Sequence, residues 1–160
     1  MKHIVLVIAL IVSFNASGQT SVEHKNDKYK FKVSVPKSWV ELSGLADESD
    51  SLKTELQWQL TSIYSGIQPS IIIRAYNRVS LSSIQKLADL TFSDFDMKEF
   101  QVDKTNNAWT ATNVKRKYKA KYYFLIKKGI SYVIFYRSSL ETFDANLPAF
   151  ETFYKSIKFL

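Results

Sequence analysis

The side chains that most often carry enzymatic chemistry are scarce in this sequence. It has two histidines, His3 and His24, and no cysteine. Serine and cysteine nucleophiles need an imidazole fixed beside them, and a zinc site needs several histidine, cysteine or carboxylate ligands held together. His3 lies in an N-terminal apolar segment, and we interpret His24, in a polar stretch, as an ordinary surface residue. We therefore predict no catalytic residue, metal or cofactor of these kinds.

The carboxylates and glycines do not define a site either. One acidic group, residues 47–50, lacks the glycine and distal glutamate of a calcium loop, so residues 43–53 are expected to form a solvated loop. A second acidic group, residues 94–99, is typical of a solvated helix end. Two carboxylates can hydrolyse a glycosidic bond, but nothing here distinguishes such a pair. The nucleotide-binding patterns G-x-x-x-x-G-K-[ST] and G-x-G-x-x-G are also missing, so the sequence favours a non-enzymatic protein.

Residues 1–18 have the pattern of a secretory signal peptide. Lys2 gives a short basic start, an apolar run covers residues 4–14, and Ala16 and Gly18 have the small-x-small spacing of a cleavage site. The apolar run is too short to span a bilayer, so a retained membrane anchor is the less favoured alternative. Without cysteine there is no lipobox. We expect an exported protein, periplasmic or extracellular, with no transmembrane segment in the mature chain.

Basic residues are concentrated in one part of the chain. Residues 104–140 contain nine Lys and Arg and no Asp or Glu, whereas the whole chain has a formal net charge of +7. The rest of the chain is therefore slightly acidic. If residues 115–121 form one strand, alternate lysines share a face and make a ridge about 20 Å long, at roughly 3.3 Å per residue. The candidate partner-binding residues are Lys115, Arg116, Lys117, Lys119, Lys121, Lys127 and Lys128.

Three interpretations of this basic segment are open. It can be the solvated outer face of an antiparallel sheet, where lysines also discourage edge pairing. It can dock an acidic protein or an anionic membrane surface by electrostatic attraction. It can bind nucleic acid, since Tyr118, Tyr122 and Tyr123 lie among the lysines and could stack on bases, although export argues against this partner.

Hydrophobic periodicity predicts the strands that would position these residues. Residues 28–36 alternate apolar and polar side chains, which predicts a strand ended by Pro36, with Trp39 covering its apolar face. Residues 56–60 alternate in the same way. Three consecutive isoleucines within residues 71–79 predict a third strand that is buried on both faces.

The remaining periodicity predicts two helices and a meander. Residues 82–95 have a helical period, with Ser80 or Ser82 as the N-cap. An antiparallel meander is expected over residues 107–138, and Pro148 is expected to open a final short helix.

The sequence therefore predicts one α+β domain at residues 28–160, preceded by the signal peptide at residues 1–18 and a flexible N-terminus at residues 19–27. If the first helix packs on the sheet, Trp39, Trp58 and Phe92 could line a pocket between them. This pocket makes a carrier of an apolar ligand or peptide the alternative function. Nothing in the sequence indicates an oligomeric state.

The order of these motifs resembles the PsbP-like domain family, which includes the photosystem II extrinsic protein and a structurally similar Ran-binding nuclear-import factor. The resemblance covers about residues 27–160 and includes the predicted helix and the meander. Its two aromatic motifs are Tyr29-x-Phe31-x-Val33-x-Val35-Pro36-x-x-Trp39 and Phe150-x-x-Phe153-x-x-Ser156-Ile157-x-Phe159.

The resemblance implies a central antiparallel β-sheet flanked by helices on both faces, an α/β/α sandwich. It also implies a non-catalytic binding or accessory role, and in the photosynthetic members a basic surface docks onto an acidic membrane complex. No family-wide catalytic or ligand motif is carried over to this chain. Among the expected meander turns only Gly129 supplies a glycine, so the resemblance does not place the first turn, near residues 116–118.

Overall fold

The computed structural model describes residues 21–42, 53–60, 66–105 and 108–160. The predicted signal peptide and the acidic residues 47–50 lie outside these ranges. Antiparallel strands dominate the described residues together with two α-helices, which confirms the α+β fold. The elements are β1 (Ser21–Asn26), β2 (Phe31–Pro36), β3 (Val40–Leu42), β4 (Lys53–Gln59), β5 (Ser70–Tyr76), a 3-10 turn (Val79–Leu81), α1 (Ile84–Phe92), β6 (Phe100–Thr105), β7 (Ala108–Asn113), β8 (Tyr118–Lys127), β9 (Ile130–Ser139), α2 (Phe143–Ser156) and β10 (Lys158–Phe159).

The strands form two antiparallel sheets. The small sheet has the order β1-β2-β10, and the large sheet has the order β3-β4-β5-β9-β8-β7-β6. The segment at 19–27, expected to be flexible, contains β1, which pairs along β2 from Ser21↔Pro36 to Asn26↔Phe31. Within the described residues, 21–26 of this segment are therefore a paired edge strand beside the alternating strand β2.

The buried side chains fall into two clusters that divide the strands by alternate residues. Ile71 and Ile73 of β5 belong to the first cluster and Ile72 to the second, which confirms that this strand is buried on both faces. In β8, Tyr122 belongs to the second cluster, while its neighbour Tyr123 packs against the first. This period of two is what a strand requires. The first cluster includes residues of the small sheet and of α2, and the second includes residues of α1.

Helix α1 is shorter than its periodic pattern. It covers Ile84–Phe92 rather than residues 82–95. Its N-cap is Ser83 rather than Ser80 or Ser82, because the Ser83 hydroxyl accepts the backbone N–H of Lys86 at 3.2 Å. That bond satisfies a donor that has no partner within the helix.

Helix α2 begins earlier than predicted. It starts at Phe143, so Pro148 lies inside the helix and does not open it. Proline inside a helix removes one backbone hydrogen bond and costs about 3 kcal/mol. Phe143, Phe150 and Phe153 are each at most 2% exposed, and burying such a side chain contributes about 1.5–3 kcal/mol. Burial of the three rings therefore outweighs the cost of the proline.

Candidate partner-binding site

The predicted lysine ridge does not form as one continuous strand face. Residues 114–117 are the turn between β7 and β8, and Lys117 has a left-handed backbone with φ 52°. The Asn113 side-chain oxygen accepts the backbone N–H of Arg116 at 2.7 Å, which fixes the reversal. The chain therefore reverses between Lys115 and Lys119. This turn has no glycine, and Lys117 occupies its left-handed position instead.

Two of the three candidate lysines within β8, Lys119 and Lys121, face helix α2. Lys121 Nζ lies 2.5 Å from Glu151 Oε1, and Lys119 Nζ lies 3.9 Å from Asp144 Oδ1. Lys121 and Glu151 are about a quarter exposed, with 23% and 26% of each side chain accessible. These lysines face acidic side chains of the same molecule, and the contact of Lys121 is the closer of the two.

Tyrosines complete the contact between β8 and α2. The Tyr123 hydroxyl donates to Glu151 at 3.0 Å, and the Tyr123 ring stacks on Tyr154 with centroids 3.8 Å apart. Burial alone acts to lower the pKa of Lys121, but hydrogen bonds with Glu151 and Tyr123 outweigh it, so the pKa is raised. We call Lys121, Tyr123, Glu151 and Tyr154 the helix clasp, since it holds α2 on the sheet.

At the β7–β8 turn, the remaining bases meet nearby acids and a cavity. Lys115 Nζ lies 2.6 Å from Glu99 Oε1. Arg116 and Lys117 are exposed and line a cavity of about 560 Å³. The other residues that line it are Gly66, Ile67, Ser139, Leu140 and Glu141. This end of the sheet therefore combines cations, an acid and apolar side chains.

The last two candidate residues lie at the opposite end of the large sheet. Lys127 and Lys128 are exposed on the β8–β9 turn, and Lys128 has φ 51° beside Gly129 at φ 78°. β8 has ten residues, which at roughly 3.3 Å each separates the two turns by about 30 Å. The seven predicted residues are thus divided among one turn, the helix clasp side of β8 and a second, distant turn.

The structure adds lysines from outside the acid-free segment to the β8–β9 end. The Tyr132 hydroxyl donates to the backbone oxygen of Tyr29 at 2.7 Å, which places the β1–β2 turn beside the start of β9. The Tyr132 ring also contacts Phe159 of β10, with centroids 4.9 Å apart. We call the exposed lysines gathered here the lysine end: Lys28, Lys30, Lys127, Lys128 and Lys158.

The lysine end carries unbalanced charge. Within the described part of the chain, none of its five members makes an ion pair. The acid of the β1–β2 turn, Asp27, is engaged by Lys25 at 2.8 Å, which lowers the pKa of Asp27 and raises that of Lys25. The sequence did not indicate this group because its members come from three segments that only the fold brings together.

Two of the three predicted pocket residues line a cleft between the two sheets. Trp39 and Trp58 contribute to a cavity of about 250 Å³ together with His24 and Glu41. His24 Nδ1 lies 3.6 Å from Glu41 Oε2, and the His24 ring meets Trp58 edge-on with centroids 5.4 Å apart. His24 is therefore a cleft residue, which the polar sequence around it did not indicate.

Phe92 does not belong to this cleft. It packs in the second cluster, where its ring stacks on Trp109 at 5.9 Å and meets Tyr122 edge-on at 5.2 Å. Trp39 and Trp58 are in the first cluster. The predicted grouping of all three residues was wrong because α1, which carries Phe92, packs with the second cluster and the tryptophans with the first.

Within the ranges that the structure describes, no group of three or more His, Cys, Asp or Glu could hold a metal ion. No helix there is long and apolar enough to cross a membrane.

Comparisons with known proteins support the fold. No family model matches the chain, and no curated protein matches it. Among solved structures, it is similar to the solution structure of cyanobacterial PsbP (CyanoP) from Synechocystis sp. PCC 6803, with a TM-score of 0.55 and 12% sequence identity. The match covers 91% of this chain and 96% of that chain. At this identity the similarity establishes the fold alone, and that fold is PsbP-like, as the aromatic motifs implied.

Proposed function

We propose that this chain is an exported, non-enzymatic binding or accessory protein that docks an acidic protein or anionic surface through its basic β-meander. The observation that carries the proposal is the lysine end, whose five lysines are exposed and make no ion pair within the part of the chain that the structure describes. Lys127 and Lys128 are the part of this surface that belongs to the meander. Clustered charge of one sign steers an oppositely charged partner and speeds its association.

The proposal includes two features of organisation. Residues 1–18 are removed on export, so the mature chain begins at Gln19. Helices α1 and α2 cover opposite faces of the large sheet, an arrangement supported by the separation of their buried residues into two clusters. N-terminal sequencing of the protein recovered from the cell envelope or the medium tests the first feature, and an N-terminus at Met1 would contradict it.

Site-specific crosslinking in the producing cells tests the docking. A photoreactive amino acid at Lys128 is expected to trap an acidic protein or an anionic lipid, and the same group at Arg116 is expected to trap it far less. The reaction should weaken as salt increases, since charges are screened over about 8 Å at physiological ionic strength. Equal trapping from both turns, or trapping insensitive to salt, would contradict docking through this end.

Matched charge reversals separate docking from folding. Lys127→Glu with Lys128→Glu, and Arg116→Glu with Lys117→Glu, each change two adjacent exposed residues at one end of β8 and alter the net charge by the same amount. Each pair includes one left-handed residue, since φ is 51° at Lys128 and 52° at Lys117. Equal melting temperatures with partner binding lost only in the first pair are the expected result.

A second candidate function is a carrier of an apolar ligand or peptide, favoured by the cleft that Trp39 and Trp58 line. Native mass spectrometry of the protein from its source should then show a bound molecule. Trp58→Phe should weaken its retention, while Trp109→Phe in the other cluster should not. A fully unliganded protein whose tryptophan fluorescence ignores added fatty acids and peptides would argue against this candidate.

A further inference from the structure

We infer that the partner of the lysine end is the surface of an anionic lipid bilayer, to which the protein attaches peripherally. The inference rests on the proposed docking function and specifies its partner. It follows from the type, the spread and the surroundings of the five lysines.

The type of cation favours a diffuse negative surface. All five residues are lysines, which act as flexible point charges, whereas recognition of particular carboxylates typically uses the fixed two-donor geometry of arginine. Protein interfaces also rely on buried aromatic or arginine anchors. The large hydrophobic side chains exposed in the described residues, such as Met97, Val114 and Leu140, lie outside the two lysine turns. The lysine end thus offers charge without an anchor for a shaped protein pocket.

The arrangement of the lysines also suits a flat partner. They come from two hairpin turns and one short strand, and all five are exposed. The turns have a firm frame, because Asn26 Oδ1 accepts the backbone N–H of Tyr29 at 2.8 Å and the Tyr132 hydroxyl holds the Tyr29 carbonyl. Several side chains on one rigid end can therefore reach lipid phosphates at the same time.

The expected effect on binding follows from the attraction of one lysine to an anionic leaflet. Each lysine near such a surface strengthens binding by about fivefold. Lys127→Gln with Lys128→Gln should therefore weaken vesicle binding by about 30-fold. The control, Arg116→Gln with Lys117→Gln, should change it by less than about threefold, because the β7–β8 turn lies at the other end of β8.

The experiment measures sedimentation of the cell-processed protein with vesicles of phosphatidylcholine alone or with one third phosphatidylglycerol, in 0.1 M and 0.5 M salt. We expect binding only to the anionic vesicles, lost at high salt and in the Lys127/Lys128 variant. Equal binding to neutral vesicles, or an unaffected Lys127/Lys128 variant, would overturn the lipid inference.

The outcomes also separate this inference from the proposed function. If the wild type ignores anionic vesicles while crosslinking at Lys128 traps an acidic protein, the lipid partner is wrong and docking through the lysine end stands. If neither vesicles nor a crosslinked partner is found, both are wrong.

Discussion

The helix clasp gives the sharpest test of whether the β8 lysines are structural or functional. Lys121→Met keeps most of the apolar stem but removes the charge that contacts Glu151 Oε1 at 2.5 Å. Glu151→Gln keeps the shape of the partner but removes its charge. Because Glu151 also accepts from the Tyr123 hydroxyl at 3.0 Å, each single variant leaves a half-buried polar group with a poorer partner. We expect both variants to destabilise the protein.

The expected loss of stability follows from how far Lys121 and Glu151 are exposed to solvent. Hydrogen bonds to charged groups contribute about 1.5–3 kcal/mol when buried, whereas fully exposed ion pairs contribute about 0–1 kcal/mol. Because 23% and 26% of the two side chains are exposed, we expect a loss between these two ranges. Each single variant should lower the free energy of unfolding by about 1–2 kcal/mol. For a domain of this size that lowers the melting temperature by about 4 °C. The double variant should show a coupling of about 1 kcal/mol.

Denaturant unfolding of the wild type, both single variants and the double variant measures the coupling. Lys127→Met is the matched control, because Lys127 lies on the same strand, is exposed and makes no described ion pair. It should change the free energy of unfolding by less than about 0.5 kcal/mol. The helix clasp would be refuted if Lys121→Met were as stable as this control. It would also be refuted if the effects of Lys121→Met and Glu151→Gln on the free energy of unfolding were additive.

The pH dependence gives an independent check of the same contact. The pKa of Lys121 is raised above its ordinary value of 10.5 in the folded protein. A raised pKa in the folded state means that the contribution is fully present below pH 10.5 and is lost as pH rises through the folded pKa. The coupling should therefore be constant between pH 7 and 9. If Lys121→Met instead left stability unchanged and abolished partner binding, the lysine would be functional.

Two other variants test local contacts. Ser83→Ala removes the hydroxyl that accepts the backbone N–H of Lys86 at the start of α1, and it should destabilise the protein by about 1 kcal/mol. Ser82→Ala is the control and should leave stability unchanged. Thermal unfolding measures both variants. Tyr132→Phe removes the bond to the Tyr29 carbonyl and should cost about 1–2 kcal/mol. Burial raises the pKa of Tyr132 to about 12. Wild-type stability should therefore fall from pH 10 to 12 as the phenol ionises. This fall should be smaller in Tyr132→Phe.

Strand periodicity was readable from the sequence where one strand face is uniformly apolar. Phe31, Val33 and Val35 of β2 are at most 5% exposed, and the strand ends at Pro36 as predicted. The three isoleucines of β5 divide between two clusters, also as predicted. In both strands the side chains themselves determine which face is buried, so local pattern is sufficient.

Element boundaries and the site depended on partners that are distant in sequence. β1 is polar and short, and it forms because β2 has an open edge. α2 extends back to Phe143 because that ring packs against Tyr136 of β9, with centroids 5.0 Å apart, within the first cluster. The break in the lysine ridge has a local cause instead, because Lys117 at φ 52° closes the first meander turn without a glycine and Asn113 fixes that turn. Contacts between residues far apart in sequence decide the extents of β1 and α2.

The same reasoning explains why charge counted along the chain located only part of the lysine end. β8 turns one side of its residues toward α2, so Lys119 and Lys121 are matched by Asp144 and Glu151, acids from outside the basic segment. In the described part of the chain, Lys127 and Lys128 at the other end of β8 make no ion pair. The Tyr132 hydroxyl holds the β1–β2 turn beside the start of β9, so lysines from the slightly acidic remainder of the chain join them in the lysine end. A single buried hydroxyl thereby connects the small sheet to the end of the large sheet where these lysines lie.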